Sequence, residues 1–336
     1  MQSTLYSLPS PGSYFSPSMS SSDEAPLVTW HIQIVYIIGI IVLAFVGNIL
    51  IFFAICSIKR LQTIDNMFIA NLAVSDFLFT LIETSSNTTR ELNPNWRPPH
   101  EFACYVIMAA SVLCASASVF TQAAVAVNRY TAITRPLQYP NIVNKTRVFI
   151  SIIAIWIGAI VFALPPLIWR PLAVICAHEE SYEKHITYEI VYMTAEWLFI
   201  FGIPFGIMSV IYYRIYRIAR THANRVRPGA SDEPASTSGN DTNSRNNNIS
   251  NFKREFKAAK MLVTIAGAFL FSWFPFFLTL TLWKFHGGVL NHPKVFTTCL
   301  YIVYTLPAIN PAIYAFWSRD IRSGIKQLLT CCKRNS

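Results

Sequence analysis

Seven long stretches of this chain carry little or no charge, which leaves it few folds to choose from. The first runs from Ile32 to Ile58, with nothing charged between His31 and Lys59. The second covers about Asn66 to Asn87 and contains Asp76 and Glu83. The third is uncharged from Phe102 to Asn128, the fourth from Val148 to Trp169. The fifth, about Tyr188 to Tyr213, holds Glu196 in its interior. The sixth, Met261 to Trp283, and the seventh, Val295 to Ser318, are again uncharged. Each is about 20 residues or more, enough for one helix to cross roughly 30 Å of hydrocarbon. The runs are continuous rather than alternating, which predicts helices and not the strands of a barrel. The expected fold class is an all-α membrane protein, a seven-transmembrane helix bundle. Only 13% of the residues are charged, about half the usual share of a soluble domain. Lipid is the solvent for most of this chain.

The formal charge of +10 would suit nucleic acid, but its placement argues against that partner. Of 27 Lys and Arg, only Arg90, Arg97, Arg170, Lys184, Lys284 and Lys294 fall on one side of the seven spans. The rest fall on the other, which is therefore cytoplasmic, and the N-terminus is expected outside. No basic residue precedes a short apolar core at the N-terminus, so a cleavable signal peptide is not expected. Residues 1–30, rich in Ser and Pro, are expected to be extracellular and disordered, and 31–318 to form the bundle. Within the bundle, 228–251 is a polar cytoplasmic loop expected to be disordered. Residues 319–336 form a short amphipathic surface helix and tail, with Ile321, Ile325, Leu328 and Leu329 on one face. Cys331 and Cys332 beside Lys333-Arg334 are candidate palmitoylation sites, or two unmodified thiols. Asn87-Thr88-Thr89 is the outer candidate glycosylation sequon, close to the membrane.

Polar residues inside spans are rare and costly, so they carry the most information. In chain order they are Gly47-Asn48, Asn71-Leu72-Ala73-Val74-Ser75-Asp76, Asn128-Arg129-Tyr130 with Pro136 beyond, and Trp156. Then come Pro204 and Tyr212, Phe269 with Ser272-Trp273-Phe274-Pro275, and Asn310-Pro311-Ala312-Ile313-Tyr314. Any one could be a kink or a packing device. One set per span, in this order, resembles the rhodopsin-like (class A) G-protein-coupled receptors, over about Gln33 to Cys332. The runs Arg214-Ile215-Tyr216-Arg217 and Trp273 to Phe277 lean toward the amine-receptor branch of that family.

The resemblance implies a plasma-membrane, multi-pass receptor that couples an extracellular ligand to a heterotrimeric G protein, with arrestin and a receptor kinase as further partners. It implies no cofactor, with sodium as an allosteric ion, and no enzymatic activity. It also implies a disulfide between Cys104 and Cys176, a polar network of Asp76, Ser118 and Asn310, and an activation switch. The switch residues are Asn128, Arg129, Tyr130, Tyr212, Glu255, Phe269, Pro311 and Tyr314. Two departures stand out. Asn128 replaces the acid that usually precedes the switch arginine, leaving Glu255 as the implied resting-state partner of Arg129. Higher basal activity is expected, unless asparagine hydrogen-bonds well enough in its place. Leu306-Pro307 replaces polar residues of the usual sodium site, which puts full coordination in question.

The implied ligand pocket holds Glu83, Ser111, Glu196, Trp273, Phe276, Phe277 and Tyr304. Ser111 stands where amine receptors carry an aspartate, and Tyr304 where opsins carry the retinal lysine. Either Glu83 or Glu196 binds a cationic group beside an aromatic wall, or each is a protonated glutamate hydrogen-bonded to a neighbour. A peptide-activated receptor, a non-signalling receptor-like partner and a transporter are alternatives. The transporter is disfavoured because inverted repeats and Gly-interrupted spans are not seen.

Overall fold

The computed structural model describes residues 24–93, 101–168, 186–226, 260–261, 263–282 and 293–334. Helix α1 is Glu24–Ser57, and α2 begins as Ile64–Phe79, passes through a π turn at Thr80–Thr84 and resumes as Ser85–Leu92. Helix α3 is Glu101–Thr134 and α4 is Lys145–Ile168, with a one-turn helix, Tyr139–Ile142, between them. Helix α5 starts as Ile186–Ala195, passes through a second π turn at Glu196–Gly202 and continues as Ile203–Val226. Helix α6 spans Val263–Leu282, α7 is Pro293–Trp317, and α8 is Arg319–Arg334. Seven of these are long and apolar enough to cross a membrane. No strand occurs among the described residues.

Helix α1 begins at Glu24, inside the stretch expected to be disordered. The expected disorder of 228–251 lies outside the described residues.

In lipid the outer surface gains nothing by hiding apolar side chains, and small residues and hydrogen bonds hold helices together instead. Val35, Leu43, Phe149, Ile157 and Phe271 accordingly point outward. Helix α3 is the central post, packed against α2, α4 and α5. Asn71 fixes three helices at once: its Nδ2 donates to Thr121 Oγ1 on α3 (2.7 Å) and its Oδ1 accepts from Trp156 Nε1 on α4 (2.9 Å). Helix α1 closes the bundle against α2, α7 and α8.

The α1–α7 seam shows why Gly47-Asn48 and Pro311 occur together. Pro311 has no N–H, so the carbonyl one turn earlier, on Pro307, loses its helical donor. Asn48 Nδ2 reaches across from α1 and donates to that oxygen at 2.9 Å. The approach needs glycine beside it, since a Cβ on Gly47 would lie 2.6 Å from Pro311 Cβ. Below the seam α8 lies with Ile321 fully buried and Arg322 and Lys326 exposed, as its amphipathic pattern predicts.

Candidate functional site

The π turns in α2 and α5 each carry one acid of the spans. Glu83 lies in the first turn and Glu196 starts the second. A π turn shifts the side chains beyond it around the helix axis and is often found at functional sites. Both acids line a single cavity of about 170 Å³ bounded by α2, α3, α5, α6 and α7. All seven residues assigned to the pocket from the sequence line this cavity: Glu83, Ser111, Glu196, Trp273, Phe276, Phe277 and Tyr304.

Three donors converge on the Glu83 carboxylate: Ser111 Oγ at 2.5 Å, Asn87 Nδ2 at 2.7 Å and Tyr304 OH at 3.4 Å. Ser111 thus removes the acid from α3 and hydrogen-bonds one presented from α2. Asn87 also donates to the Glu83 backbone carbonyl, at 3.1 Å. Glu196 is buried and hydrogen-bonds Tyr192, whose hydroxyl also donates to the Phe162 carbonyl at 3.0 Å.

Aromatic rings form the floor and one wall. Phe269 stacks on Trp273 at 5.8 Å between centroids, Phe277 lies 5.6 Å from Trp273, and Phe276 meets it edge-on at 5.9 Å. Ser116, also on the lining, was missed in the sequence because a lone serine in a span usually bonds its own helix. Its buried Oγ has no hydrogen-bond partner, and neither has Trp273 Nε1. Tyr192 was legible in principle, since it precedes Glu196 by one helical turn.

Below the cavity, Asp76 accepts from Asn310 Nδ2 at 2.7 Å and from Ser118 Oγ at 3.1 Å. Ser75 Oγ lies 2.9 Å from Ser118 Oγ. The three network residues expected from the sequence therefore meet, and Ser75 joins them.

The end of the bundle that holds Arg129 differs from expectation. Replacing the usual acid by Asn128 does not leave Arg129 without a nearby carboxylate. Arg129 forms an ion pair with Asp65, in the first turn of α2. Asn128 Nδ2 donates to the other oxygen of Asp65 at 2.7 Å, and Tyr139 OH donates to Asn128 Oδ1 at 3.1 Å. The acid has moved to the facing helix and the asparagine holds it there. In the sequence Asp65 looks like an ordinary acid at a helix start, favoured by the dipole after the Thr63 cap. Arg214 Nη1 donates to Tyr130 OH at 3.2 Å, joining α5 to α3. Tyr212 and Tyr314 line a second, small cavity of about 10 Å³ at this level. Pro311 sits on the α1 seam.

Glu255 and Cys176 lie outside the described residues. Cys104 is buried at the outer start of α3 and is disulfide-bonded. Cys331 and Cys332 lie in the last turn of α8, and their side chains are outside those described.

A family model for "7 transmembrane receptor (rhodopsin family)" matches residues 47–314. The histamine H2 receptor of Rattus norvegicus is 30% identical over 298 residues, covering 87% of this chain and 77% of that protein. The Homo sapiens histamine H2 receptor is 30% identical over 320 residues, covering 91% and 82%. The alpha-1D adrenergic receptor of Mus musculus is 29% identical over 332 residues, covering 89% of this chain and 58% of that protein.

Proposed function

Because this chain belongs to the rhodopsin family of seven-transmembrane receptors, we propose that the ligand it reports across the plasma membrane is a small cationic amine. The family makes it a multi-pass membrane receptor that signals through heterotrimeric G proteins, and not an enzyme. One observation carries the ligand reading: both outer in-span acids line the same aromatic-walled cavity. A cation about 4 Å from a carboxylate gains on the order of 4 kcal/mol at an effective dielectric near 20. Rings at Trp273, Phe276 and Phe277 add about 0.5–2 kcal/mol of cation–π attraction. The cavity volume, about 170 Å³, falls below the roughly 300–1,000 Å³ of pockets for drug-sized ligands. A small ligand fits this better than a peptide. Similarity to receptors named for histamine supports the same class.

Signalling follows from a population shift, in which the agonist binds the open state better than the closed one. The G protein docks on Arg129, Tyr130, the almost fully exposed Leu137 and the basic inner end of α5. Arrestin and a receptor kinase use the same face. The N-terminus is extracellular by the distribution of Lys and Arg. Cys104 pairs with Cys176, and palmitoylated Cys331 and Cys332 anchor α8.

The test is second-messenger output, cAMP and calcium, from cells expressing the receptor with a panel of amines. Glu83→Gln and Glu196→Gln, at matched surface expression, are expected to lower amine potency on the order of 100-fold. Unchanged potency in both variants would overturn the cationic reading.

We also assign sodium to the Asp76 network as an allosteric ligand. Asp76, Ser75, Ser118 and Asn310 offer oxygens, which suit a hard cation. Asn310 Oδ1 is buried without a hydrogen-bond partner, so one of those oxygens is uncommitted. Leu306 and Pro307 add no side-chain oxygen, so the site is smaller than the sequence resemblance implied. Sodium, compared with potassium at equal ionic strength, is expected to weaken agonist binding in the wild type and not in Asp76→Asn. An equal sodium effect in both would remove the ion from this network.

A further inference from the structure

We propose that the ligand carries two protonated nitrogens, one held by Glu83 and the other by Glu196. The inference rests on the cationic reading above and narrows it to a chemical class: short diamines, or an amine joined to a basic heterocycle. The two carboxylates reach the cavity from different helices, α2 and α5, each from its own π turn. Helix α3 packs against both of those helices and stands between them. A ligand with one cation can pair with one of these acids and leaves the other to neutral hydrogen-bond partners such as Ser111 at Glu83 or Tyr192 at Glu196. Neutral hydrogen bonds compensate a buried carboxylate less than charge-assisted ones do. A ligand charged at both ends matches the cavity along its length.

Ser116 supplies a second, independent pointer. It is fully buried and lines the cavity, and its hydroxyl has no hydrogen-bond partner. A buried hydroxyl without a partner is costly and usually marks a place where another group belongs. Ser116 lies five residues past Ser111, which at 3.6 residues per turn sets it well round α3 from the face that meets Glu83. Ser111 is already committed to Glu83. Ser116 is thus free to take a hydrogen bond from the ligand's second nitrogen, the one assigned above to Glu196. Trp273 and Phe277 line the same cavity and offer aromatic surface to the connecting carbons and to either ammonium.

The experiment compares α,ω-diamines of increasing chain length, and aminoalkyl-imidazoles, with monoamines of matched length on the full-length receptor. Signalling and competition binding are both measured. In the wild type, the best-fitting two-nitrogen ligand is expected to be at least roughly tenfold more potent than its matched monoamine. Glu196→Gln should erase that advantage, lowering the potency of the two-nitrogen ligand more than that of its matched monoamine. Ser116→Ala should reduce it in the same direction. Glu83→Gln should weaken both ligand types. Surface labelling and thermal stability of each variant separate a lost contact from a failure to fold. Monoamines as potent as diamines would overturn the two-nitrogen inference and leave the cationic reading standing. Failure of every amine to bind or signal, with Arg129-dependent signalling evoked by uncharged ligands, would overturn both.

Discussion

Gln122 is a polar side chain at an apolar level of the bundle. It is 5% exposed, faces the small cavity between Phe68, Leu72, Val125 and Ile265, and neither its amide oxygen nor its nitrogen has a hydrogen-bond partner. Each such group costs about 1–3 kcal/mol when buried unpaired. Leucine has nearly the same reach and no polar atoms. Gln122→Leu is therefore expected to stabilise the resting receptor by about 1–3 kcal/mol, read as a higher midpoint of thermal inactivation in detergent. The same cavity is lined by Tyr212 and Tyr314, two of the residues that the family resemblance implies for the activation switch. A tyrosine hydroxyl moving toward Gln122 would give the amide a partner, so the leucine variant should also show lower basal signalling. A lower midpoint for Gln122→Leu would show that the amide is satisfied after all, and both expectations would fail.

At the scale of helices, the sequence carried the spans well, because long uncharged runs have one low-energy answer in lipid. It carried the helix ends less well. Nothing in the residues from Glu24 onward says where the helix of α1 stops being stabilised by its continuation into the membrane. The π turns were not legible at all. An i→i+5 register has no compositional signature, and Thr80–Thr84 and Glu196–Gly202 share no pattern of length or residue order. Those turns nevertheless bear the two acids that define the cavity. Motifs such as Asn310-Pro311 identified α7, but the destination of the carbonyl freed on Pro307 depends on Asn48, 259 residues away in the chain. Single-residue chemistry could be read locally. Which residue answers it across a seam could not. Asp65 is the clearest case, since its role is set by Asn128 and Arg129 on another helix.

For the whole molecule, the Asp65–Arg129 pair and the ligand cavity lie at opposite ends of α3 and must be linked through one equilibrium. Arg129 is held toward α2 by Asp65, and its proposed role on the G-protein face requires it to leave that pair, which makes the paired arrangement the resting one in this proposal. Removing the charge of Asp65 weakens the resting state selectively. The side chains of Arg129 and Asp65 are 10% and 27% exposed, so the pair falls between a surface bridge and a buried one. A cost of about 1 kcal/mol is a fair expectation for Asp65→Asn, a roughly fivefold shift toward the active state. Basal cAMP or calcium output should rise by up to that factor. Linkage then requires a second effect at the far end. An agonist that binds the active state better must gain apparent affinity when that state becomes more populated, although no cavity residue has changed. The gain cannot exceed the factor by which the equilibrium moved, and Asn128→Ala, which frees Asp65 from its second tether, should move both readouts in the same direction. Agonist competition binding on membranes without G protein measures the affinity and basal output measures the population. A rise in basal output with unchanged agonist affinity would mean that Asp65 acts on G-protein contact alone, and the linked equilibrium would have to be given up.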